Sequence, residues 1–468
     1  MNSMFSSEEL QGENVLVLGA SRSGMAAARL LHEAGANVFV SEIRDADKVE
    51  SAAAELEALG IPLETGGHRL KGFPIPKFAV VSPGIPSNAP IVHHLKQEGR
   101  QVVSEVEVAS WFYFGTIIAI TGSNGKTTVT RWIEHTLHQA DLNAVACGNI
   151  GYPFCDMVRE QRRVTHAVVE VSSFQLETIQ RFHPHVSVMT NLSEDHLDRH
   201  GDFESYAKAK SRIWMNQKEE DFTVLPEADK MIASISLSIR PQILNVSLDR
   251  VPELGAGVHD GQIWINLGSS QEHVMAVDEL SIPGRHNIAN ALCAAAACRI
   301  LKLSVDEIKQ GLATFPGVPH RLELVHNNGR LWINDSKATN VDSLRVALEA
   351  VRGPVILIAG GRDKGAPYVP LRELVKKKVA RMLLIGEGAM RLDEELGDLL
   401  PTKHVGDLES AVKEAYATAQ PGETVLLSPG CASFDQFRDY EQRGDVFREL
   451  VEKVHTGQNE AATGEKTA

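Results

Sequence analysis

Residues 118–128 read Ile118-Ala-Ile-Thr-Gly-Ser-Asn-Gly-Lys-Thr-Thr128: an apolar strand, a glycine-rich loop and the first residues of a helix. Gly122 and Gly125 let the loop turn its backbone N–H groups inward, beside the positive end of the helix. Lys126 adds a charge for the outer phosphates of a nucleotide, and a threonine hydroxyl next to it suits Mg²⁺. A plain strand–helix turn is the alternative. The combination favours a phosphate-binding loop, shortened because Ile120 stands where the usual first glycine would be.

The alternation of strands and helices extends in both directions from this loop. It indicates parallel sheets with crossover helices. A helix is predicted at 23–34, and strands are predicted at 14–18, 37–40, 78–81, 116–120, 165–171, 186–190, 331–334, 355–359, 382–385 and 424–427. We therefore predict an α/β fold with a Rossmann-like domain at 1–110, a central P-loop domain at 111–317, a C-terminal Rossmann-like domain at 318–456 and a disordered tail at 457–468.

Composition and charge exclude several classes of protein. A length of 468 residues exceeds one hydrophobic core, and 43% hydrophobic with 23% charged residues is typical of globular proteins. The formal charge of -14 argues against nucleic acid or an anionic membrane as the main partner. The first ten residues lack a signal-peptide pattern, the most apolar stretch (111–120) is too short to cross a bilayer, and no two of the five cysteines form a CxxC pair. We expect a cytoplasmic protein with reduced thiols and no membrane insertion.

A second glycine loop, Gly19-Ala-Ser-Arg-Ser-Gly24, follows the first predicted strand. It lies where a dinucleotide fingerprint would lie, but Ser21 replaces the second glycine of GxGxxG, which disfavours NAD. Phosphate binding remains open, because hydroxyl and N–H groups remain. Glu42, at the end of the next strand, could contact a ribose or a base. A packing turn of an α/β domain explains the loop equally well.

Polar side chains at two further strand ends indicate a metal site. Glu170 ends an apolar strand, and Asp195 and His196 follow the next strand. The carboxyl ends of strands are where open α/β sheets bind ligands. Together with the hydroxyl of Thr127, Glu170 and His196 suit Mg²⁺, although His196 taken alone is more often an ordinary loop histidine.

Lys210 is the next candidate. In the helix predicted at 202–214 it shares an apolar stripe, whereas Lys208 lies on the opposite face. A desolvated lysine has a lowered pKa and reacts as a free amine. The alternative is a lysine with a buried stem whose charge reaches water.

The last third of the chain brings further polar groups to strand ends. Asn287 and Asn290 are one helical turn apart, so both amides can face one ligand, with helix capping by Asn287 as the alternative. Loops at 334–340, 360–365 and 428–437 each end a predicted strand. Any one of them is consistent with simple turn chemistry, but together they predict a substrate site at one sheet edge.

With these residues in place, the chain resembles the Mur ligase family from Gly19 to Tyr440. The shared motifs are TGSNGKTT, EVSSFQLE, NLSEDHLDRH, GRHNIAN, PHRLE, NDSKATN and SPGCASFDQF, and the DNPR motif of the ligase that adds the third residue is absent. The resemblance implies an ATP-dependent amide ligase that adds D-glutamate to UDP-N-acetylmuramoyl-L-alanine through an acyl phosphate, in cytoplasmic synthesis of peptidoglycan precursors. It also implies two Mg²⁺ sites, which Mn²⁺ can fill, and a CO₂-derived carbamate on Lys210. We expect a monomer.

The resemblance also implies a role for each matching residue. The catalytic groups are Lys126, Glu170, His196 and Lys210, and the metal ligands are Thr127, Glu170, His196 and Lys210. The expected ATP-binding residues are Gly122, Ser123, Asn124, Gly125, Lys126, Thr127, Thr128, Asn287, Asn290, Arg321 and Asp335. The expected UDP-substrate-binding residues are Ser21, Arg22, Ser23, Glu42, Arg44, Ser82, Gly84 and Asn149. The expected D-glutamate-binding residues are Lys337, Thr339, Lys364, Ser433, Phe434 and Tyr440.

Three other functions share part of this pattern. A folylpolyglutamate synthetase-like ligase also combines ATP with a carboxylate, but it should lack a UDP-type first domain, whereas residues 14–81 form a complete α/β pattern. A regulatory P-loop ATPase or GTPase would hydrolyse nucleotide without needing an amine. A dehydrogenase would use the first glycine loop, where Ser21 argues against it.

Overall fold

The computed structural model describes residues 7–70, 72–161, 163–237, 239–363 and 365–464. The chain divides into two compact units, Met1–Pro316 and Gly317–Ala468. Three mainly parallel sheets with flanking helices make up the described residues, two in the first unit and one in the second. The predicted α/β fold with three sheet-containing parts is confirmed. The exact domain limits, including the one near residue 110, stay predictions.

The first sheet is entirely parallel, with the strand order β3-β2-β1-β4-β5. Its central strand is apolar along most of its length because helices cover a parallel sheet on both faces; Val15 and Val17 are fully buried. The strands are β1 (Asn14–Leu18), β2 (Asn37–Ser41), β3 (Leu63–Glu64), β4 (Phe78–Val81) and β5 (Gln101–Ser104). The helices are α1 (Ser7–Leu10), α2 (Arg22–Glu33), α3 (Glu50–Ala58), α4 (Pro90–Gln97) and α5 (Glu105–Phe112), with a 3-10 turn at Ala46–Lys48.

The second sheet has nine strands in the order β14-β13-β12-β11-β10-β9-β6-β8-β7. It is parallel from β7 to β12, and its last two strands are antiparallel. The strands are β6 (Thr116–Thr121), β7 (Ala144–Gly148), β8 (His166–Glu170), β9 (Val186–Met189), β10 (Phe222–Pro226), β11 (Gln242–Ser247), β12 (Leu254–His259), β13 (Gln262–Leu267) and β14 (Gln271–Ala276). The helices are α6 (Lys126–Gln139), α7 (Phe154–Glu160), α8 (Ser173–Leu176), α9 (Leu197–His200), α10 (Phe203–Ser211), α11 (Lys230–Ile235), α12 (Arg285–Ile300) and α13 (Val305–Thr314), with 3-10 turns at Arg212–Trp214 and Val277–Glu279.

The third sheet forms the core of the second unit, with the order β15-β16-β20-β17-β18-β19. Among the described residues of this sheet, β15 and β16 pair antiparallel and the other neighbouring strands pair in parallel. The strands are β15 (Glu323–Asn327), β16 (Leu331–Asn334), β17 (Val355–Gly360), β18 (Val379–Ile385), β19 (Thr402–Gly406) and β20 (Thr424–Leu427). The helices are α14 (Val341–Ala350), α15 (Arg372–Lys378), α16 (Ala389–Leu396), α17 (Leu408–Thr418) and α18 (Tyr440–Gly464), with 3-10 turns at Val369–Leu371 and Gly397–Leu399.

Two expectations concern the chain end and the membrane. Helix α18 runs into the segment expected to be a disordered tail, and residues 465–468 lie outside the described residues, so that expectation stays a prediction. Within the part of the chain that the structure describes, no helix combines the length and the apolar character needed to span a bilayer.

Candidate active site

The glycine loop predicted from the sequence joins β6 to α6 at the carboxyl edge of the second sheet, and α6 begins at Lys126. Gly125 has a φ of 84°, and a Cβ on it would stand 2.4 Å from Asn290 Oδ1. Gly122 has a φ of 142°, and a Cβ there would stand 2.0 Å from Thr190 Oγ1. Because neither position tolerates a side chain, both glycines are needed for the loop to keep this shape.

Neighbouring strand ends hold the loop in place. The N–H of Asn124 donates to Asn191 Oδ1 at 2.9 Å, and Asn191 Nδ2 donates back to the Asn124 carbonyl at 2.9 Å. The Ser123 hydroxyl donates to the carbonyl of Ser193 at 3.0 Å. Lys126 Nζ donates to the carbonyls of Gly122 and Ser123 at 2.7 and 2.8 Å, so its charge lies over the loop.

A buried carboxylate lies beside the loop. Strands β6 and β8 pair with Ile120 opposite Glu170, which brings the end of β8 to the start of the loop. Glu170 is 3% exposed, and it accepts hydrogen bonds from Thr127 Oγ1 at 2.8 Å and from Asn149 Nδ2 at 3.1 Å. Carboxylate and hydroxyl oxygens are ligands that Mg²⁺ prefers. The structure thus brings together Thr127 and Glu170, which the sequence grouped, and adds Asn149.

His196 contacts an aromatic ring and its neighbouring carboxylate. Its backbone has a φ of 53°, its ring packs against Phe174 with centroids 5.0 Å apart, and its Nε2 is 3.5 Å from Asp195. Among the described residues, no cluster of three or more His, Cys, Asp or Glu side chains is arranged to hold a metal ion. The metal role of His196 therefore stays a prediction.

Lys210 lies on the inner face of α10. The helix begins after Asp202, whose side chain accepts from the N–H of Ser205. Lys210 is 2% exposed and Lys208 is exposed, so the orientation predicted from the apolar stripe is observed. Lys210 Nζ donates to the Gly122 carbonyl at 2.9 Å.

The environment of Lys210 favours a neutral amine. Burial lowers the pKa of Lys210 well below its usual value, and the charge of Lys126 adds to the lowering. Asp195 and Glu170 oppose the shift with their negative charges. Burial beside the loop therefore favours the unprotonated, nucleophilic form of this amine more than the surroundings of an ordinary surface lysine do.

Tyr206 connects Lys210 to the phosphate loop, although the sequence indicates no functional role for it. Its ring lies 4.7 Å from Lys210 Nζ, and its hydroxyl is 3.1 Å from Ser123 Oγ. Tyr206 is 1% exposed. A tyrosine in an apolar stripe is usually a core residue, and only its position one turn before Lys210 could have indicated more.

The other glycine loop forms the corresponding edge of the first sheet. Helix α2 begins at Arg22 directly after Ser21. A Cβ on Gly24 would stand 1.9 Å from the Gly19 carbonyl, so this glycine allows close packing of helix and strand. Ser82 Oγ donates to the Gly19 carbonyl at 3.2 Å, and Arg22 Nη1 donates to the Gly151 carbonyl at 3.3 Å.

Glu42 accepts hydrogen bonds that hold this edge of the sheet together. Its carboxylate accepts four hydrogen bonds: from the Ala20 N–H at 2.8 Å and from the N–H, Nε and Nη2 of Arg44 at 2.9, 3.0 and 2.9 Å. Burial opposes ionisation, but the hydrogen bonds from Arg44 and Ala20 outweigh it and lower the pKa of Glu42 to about 2. In this arrangement Glu42 stabilises the loop, and its expected contact with a base stays a prediction.

The two predicted asparagines lie on α12 beside the phosphate loop. Asn290 Nδ2 donates to Asn287 Oδ1 at 3.2 Å, and Asn287 Nδ2 donates to the Pro283 carbonyl at 2.8 Å. Both side chains are largely buried. Because Asn290 Oδ1 also faces Gly125, the pair packs against the loop.

In the second unit, β16, β20 and β17 are neighbours, so the three polar loops predicted at strand ends do share one edge. Asp335 is 5% exposed and accepts from Ser428 Oγ at 2.8 Å and from the Leu322 N–H at 3.2 Å. Burial raises the pKa of Asp335 to about 7, with the hydrogen bond from Ser428 and the charge of Arg321 opposing it. Asp335 therefore titrates near neutral pH.

The residues expected around D-glutamate differ in their surroundings. Lys337 Nζ lies 5.7 Å from the centre of the Tyr440 ring, Ser433 is buried, and Phe434 is 61% exposed. Thr339 is partly buried, and Lys364 lies outside the described residues. The roles of this group stay predictions.

Arg443 is a buried cation that the sequence analysis did not single out. It is 1% exposed, and its guanidinium donates to Ser336 Oγ at 2.9 Å, to the Ser336 carbonyl at 2.8 Å and to the Cys431 carbonyl at 3.3 Å. These bonds join the loops after β16 and β20. In the sequence it occurs in an exposed-looking charged run, Glu441-Gln-Arg-Gly-Asp445, which carries no signal of burial.

Comparison with known proteins agrees with this geometry. The Mur ligase middle domain matches residues 120–298, and the glutamate ligase domain of Mur ligases matches residues 320–431. Among solved structures, the chain is similar to a pseudomurein peptide ligase type C from Methanothermus fervidus, with 20% identity, a TM-score of 0.57 and coverage of 95% and 100% of the two chains. It is also similar to MurF from Acinetobacter baumannii, with 18% identity, a TM-score of 0.60 and coverage of 95% and 93%. At these identities the structures show the shared fold alone.

Sequence relatives are considerably closer. The UDP-N-acetylmuramoylalanine--D-glutamate ligase of Salinibacter ruber is 43% identical, with 96% of this chain and 99% of that protein covered. Enzymes of the same name from Chlorobium phaeobacteroides and Acidobacterium capsulatum are 43% and 41% identical, each over 95% of this chain. The chain therefore belongs to the Mur ligase family and, within it, to the UDP-N-acetylmuramoylalanine--D-glutamate ligases.

Proposed function

We propose that this chain joins the amine of D-glutamate to the carboxylate of UDP-N-acetylmuramoyl-L-alanine, with conversion of ATP to ADP and phosphate, in the cytoplasmic synthesis of peptidoglycan precursors. The observation that carries the proposal is one constellation at the edge of the second sheet. The carboxylate of Glu170 accepts a hydrogen bond from Thr127 of the loop at 122–128, and the buried amine of Lys210 donates to the carbonyl of Gly122 in the same loop. The names and full-length similarity of the relatives support the choice of substrates.

Residues from each of the three sheets bind a different part of the substrates. The first loop, with Ser21, Arg22, Ser23, Arg44, Ser82 and Gly84, binds the UDP part, and Glu42 shapes it. The loop at 122–128, with Asn287 and Asn290, binds ATP, to which Arg321 and Asp335 also contribute. Lys337, Thr339, Lys364, Ser433, Phe434 and Tyr440 bind D-glutamate, whose two carboxylates suit the two lysines. The protein acts as a monomer.

The chemistry proceeds in two steps. A carboxylate oxygen of the muramoyl substrate attacks the γ-phosphorus of ATP, the bond to the bridging oxygen breaks, and ADP leaves behind an acyl phosphate. The unprotonated amine of D-glutamate then attacks the acyl carbon, and the tetrahedral intermediate collapses with loss of phosphate and a proton. Lys126 and the loop N–H groups stabilise the charge on the transferring group. Activation is needed because the oxygen of a carboxylate is a very poor leaving group.

Divalent cations fit the oxygen-rich part of this site. The Thr127 hydroxyl and the Glu170 carboxylate are oxygen donors 2.8 Å apart, a donor set that suits Mg²⁺ or Mn²⁺. His196 would join them by turning away from Phe174. Bound at these residues, two such ions would neutralise the phosphates of ATP.

A carbamate on Lys210 completes the proposed site. The neutral amine attacks CO₂, a C–N bond forms, and one proton is released. Lys126, which repels an ammonium at this position, attracts the resulting anion. The test is a ¹³C NMR spectrum after exposure to ¹³C-bicarbonate: a carbamate resonance in the wild type and in Lys208→Ala, and none in Lys210→Ala.

The decisive activity test is release of phosphate from ATP in the presence of UDP-N-acetylmuramoyl-L-alanine. We expect release that depends on D-glutamate and is not supported by L-glutamate, L-lysine or D-alanine. Release that ignores the amino acid would reject the ligase assignment in favour of a nucleotide hydrolase. With ¹⁸O in the substrate carboxylate, the released phosphate should carry one ¹⁸O atom, because that oxygen leaves with the phosphoryl group.

A further inference from the structure

A short hydrogen-bond relay lies at the carboxyl ends of β2 and β3. Glu64 Oε2 accepts hydrogen bonds from Ser41 Oγ and from the N–H groups of Arg69 and Leu70, each at 3.0 Å. Ser41 Oγ is in turn 2.9 Å from His68 Nδ1. The relay therefore runs from a carboxylate through a hydroxyl to an imidazole.

The relay fixes the tautomer of His68. A carboxylate only accepts hydrogen bonds, so the single hydroxyl hydrogen of Ser41 points to Glu64. The Ser41 oxygen then accepts from His68, which places the ring hydrogen on Nδ1. In the neutral ring, Nε2 carries a lone pair. Within the described chain, Nε2 has no hydrogen-bond partner, so it is available as an acceptor.

Burial favours the neutral form of the His68 ring. Burial lowers the pKa of His68, and the nearby carboxylates of Glu42 and Glu64 oppose that shift without reversing it. Its acceptor at Nε2 is therefore present at neutral pH.

The strand order and backbone hydrogen bonds place the segment that bears His68 beside the end of β2. The sheet order β3-β2-β1 places the ends of these three strands side by side. The N–H groups of Gly66 and Gly67 donate to the carbonyls of Arg44 and Glu42 at 2.9 and 3.3 Å, which attaches the segment bearing His68 to the end of β2. In folds of this type, phosphates lie at the loop after β1 and the ribose lies at the end of β2. Strand β3 lies on the far side of β2 from β1, so a base that continues outward from that ribose would approach the end of β3.

Glu42, the other acceptor at this edge, is already fully used. Each of its two oxygens accepts two hydrogen bonds, all from Arg44 and Ala20. A base presenting an N–H donor would have to break one of them. His68 Nε2 is an acceptor that requires no such exchange.

We propose that His68 is a specificity-determining residue that recognises uracil, with its Nε2 accepting a hydrogen bond from the N3–H of the base. Cytosine carries a lone pair at N3, so two acceptors would face each other and the cytidine analogue would be rejected. The proposal rests on the proposed function, because it assigns the UDP part of the substrate to this edge. Ser41 and Glu64 act as positioning residues that hold the ring in the accepting tautomer.

The test uses the full-length protein with His68→Ala, Ser41→Ala and, as a matched control, His93→Ala, whose side chain is exposed on α4 of the same sheet. Phosphate release at saturating ATP and D-glutamate is measured with UDP-N-acetylmuramoyl-L-alanine and with its CDP counterpart. His68→Ala should raise KM for the UDP substrate about tenfold, the worth of one hydrogen bond in a desolvated site. It should leave kcat and the KM for ATP unchanged and reduce the preference for uracil over cytosine. Ser41→Ala should shift KM in the same direction by a smaller factor, and His93→Ala should change nothing.

Calorimetric binding of the UDP and CDP substrates separates this proposal from the proposed function. If the wild type binds the UDP substrate without turning over, the ligase assignment fails, whereas the binding data still decide the role of His68. An unchanged affinity and unchanged base preference in a folded His68→Ala variant would overturn the proposal. A parallel loss of ATP affinity would also overturn it, because that pattern indicates a general structural role.

Discussion

The two glycine loops of this chain, 19–24 and 122–128, share a local architecture and differ in the charges around them. Each follows an apolar parallel strand and opens a helix, α2 at Arg22 and α6 at Lys126. At the first loop, the buried carboxylate of Glu42 is neutralised by Arg44. At the second, Glu170 is hydrogen-bonded by a hydroxyl and an amide, and two lysines contact the loop carbonyls.

Because of this difference, the same arrangement of strand, glycine loop and helix can either bind a phosphate or transfer it. N–H groups and the end of a helix suffice to hold a phosphate at either loop. Transfer also needs positive charge where the phosphoryl group moves and a carboxylate that no arginine already neutralises, as a ligand for a cation. Among the described residues only the second loop has both, so the proposed chemistry belongs there and the proposed diphosphate at the first loop is a spectator.

The largest effect is expected from Lys126→Ala. In the proposed mechanism Lys126 stabilises the transferring phosphoryl group, so kcat should fall on the order of 10³–10⁵-fold, as for other charge-stabilising residues in phosphoryl transfer. Steady-state phosphate release measures this, with the exposed Lys208→Ala as control. A loss below tenfold would show that the second loop is not the site of transfer.

Lys210→Met should come next, with turnover lowered roughly 10²–10³-fold, the usual cost of losing one preorganised electrostatic group. The same change should not lower the thermal midpoint, because methionine fills a similar volume without a buried polar group. Lys208→Met is the matched control and should change neither quantity. Equal losses of turnover in both variants would contradict the assignment of Lys210 to the site.

At the first loop, Arg22→Ala tests the spectator role. In the proposed function Arg22 is a cation beside the diphosphate of the substrate, so its loss should raise KM for UDP-N-acetylmuramoyl-L-alanine about tenfold at an unchanged kcat. KM for ATP serves as the internal control. A fall in kcat with constant KM would mean that this loop also takes part in transfer, and the contrast between the loops would disappear.

The smallest effect concerns stability against pH. The pKa of Lys210 is lowered in the folded protein relative to its usual value of 10.5, so the unfolded chain binds more protons in the interval between the two values. The free energy of unfolding should therefore rise with pH across that interval and lose this component in Lys210→Met. Urea titrations at several pH values, with Lys208→Met alongside, measure the slopes. Identical slopes in all three proteins would contradict a buried Lys210 amine.

The sequence predicts most of what surrounds the second loop. Apolar runs located β6, β8 and β9, the glycines and Lys126 located the loop, and the apolar stripe placed Lys210 inside. These signals are local, since they depend on periodicity of two or 3.6 residues and on turn chemistry. The position of Glu170 beside this loop could also be predicted, because the ends of parallel strands meet at one edge of the sheet.

Other features depend on long-range contacts and could not be predicted. Strand β12 contains two glycines and has little strand propensity, yet Gly255 is required there because a Cβ would stand 1.8 Å from the Asn245 carbonyl. The ring of His196 packs against Phe174. Arg443 is buried partly by the loop that contains Ser336, which lies more than 100 residues earlier in the chain. Such contacts arise only after the sheets have assembled.

The most direct measurement is a crystal structure with Mg²⁺ and a non-hydrolysable ATP analogue. We expect the β- and γ-phosphates to contact the N–H groups of residues 122–128, with Lys126 Nζ released from the loop carbonyls onto the γ-phosphate and Mg²⁺ bound at Thr127 and Glu170. Phosphates bound at residues 19–24, or an empty loop at 122–128, would contradict it.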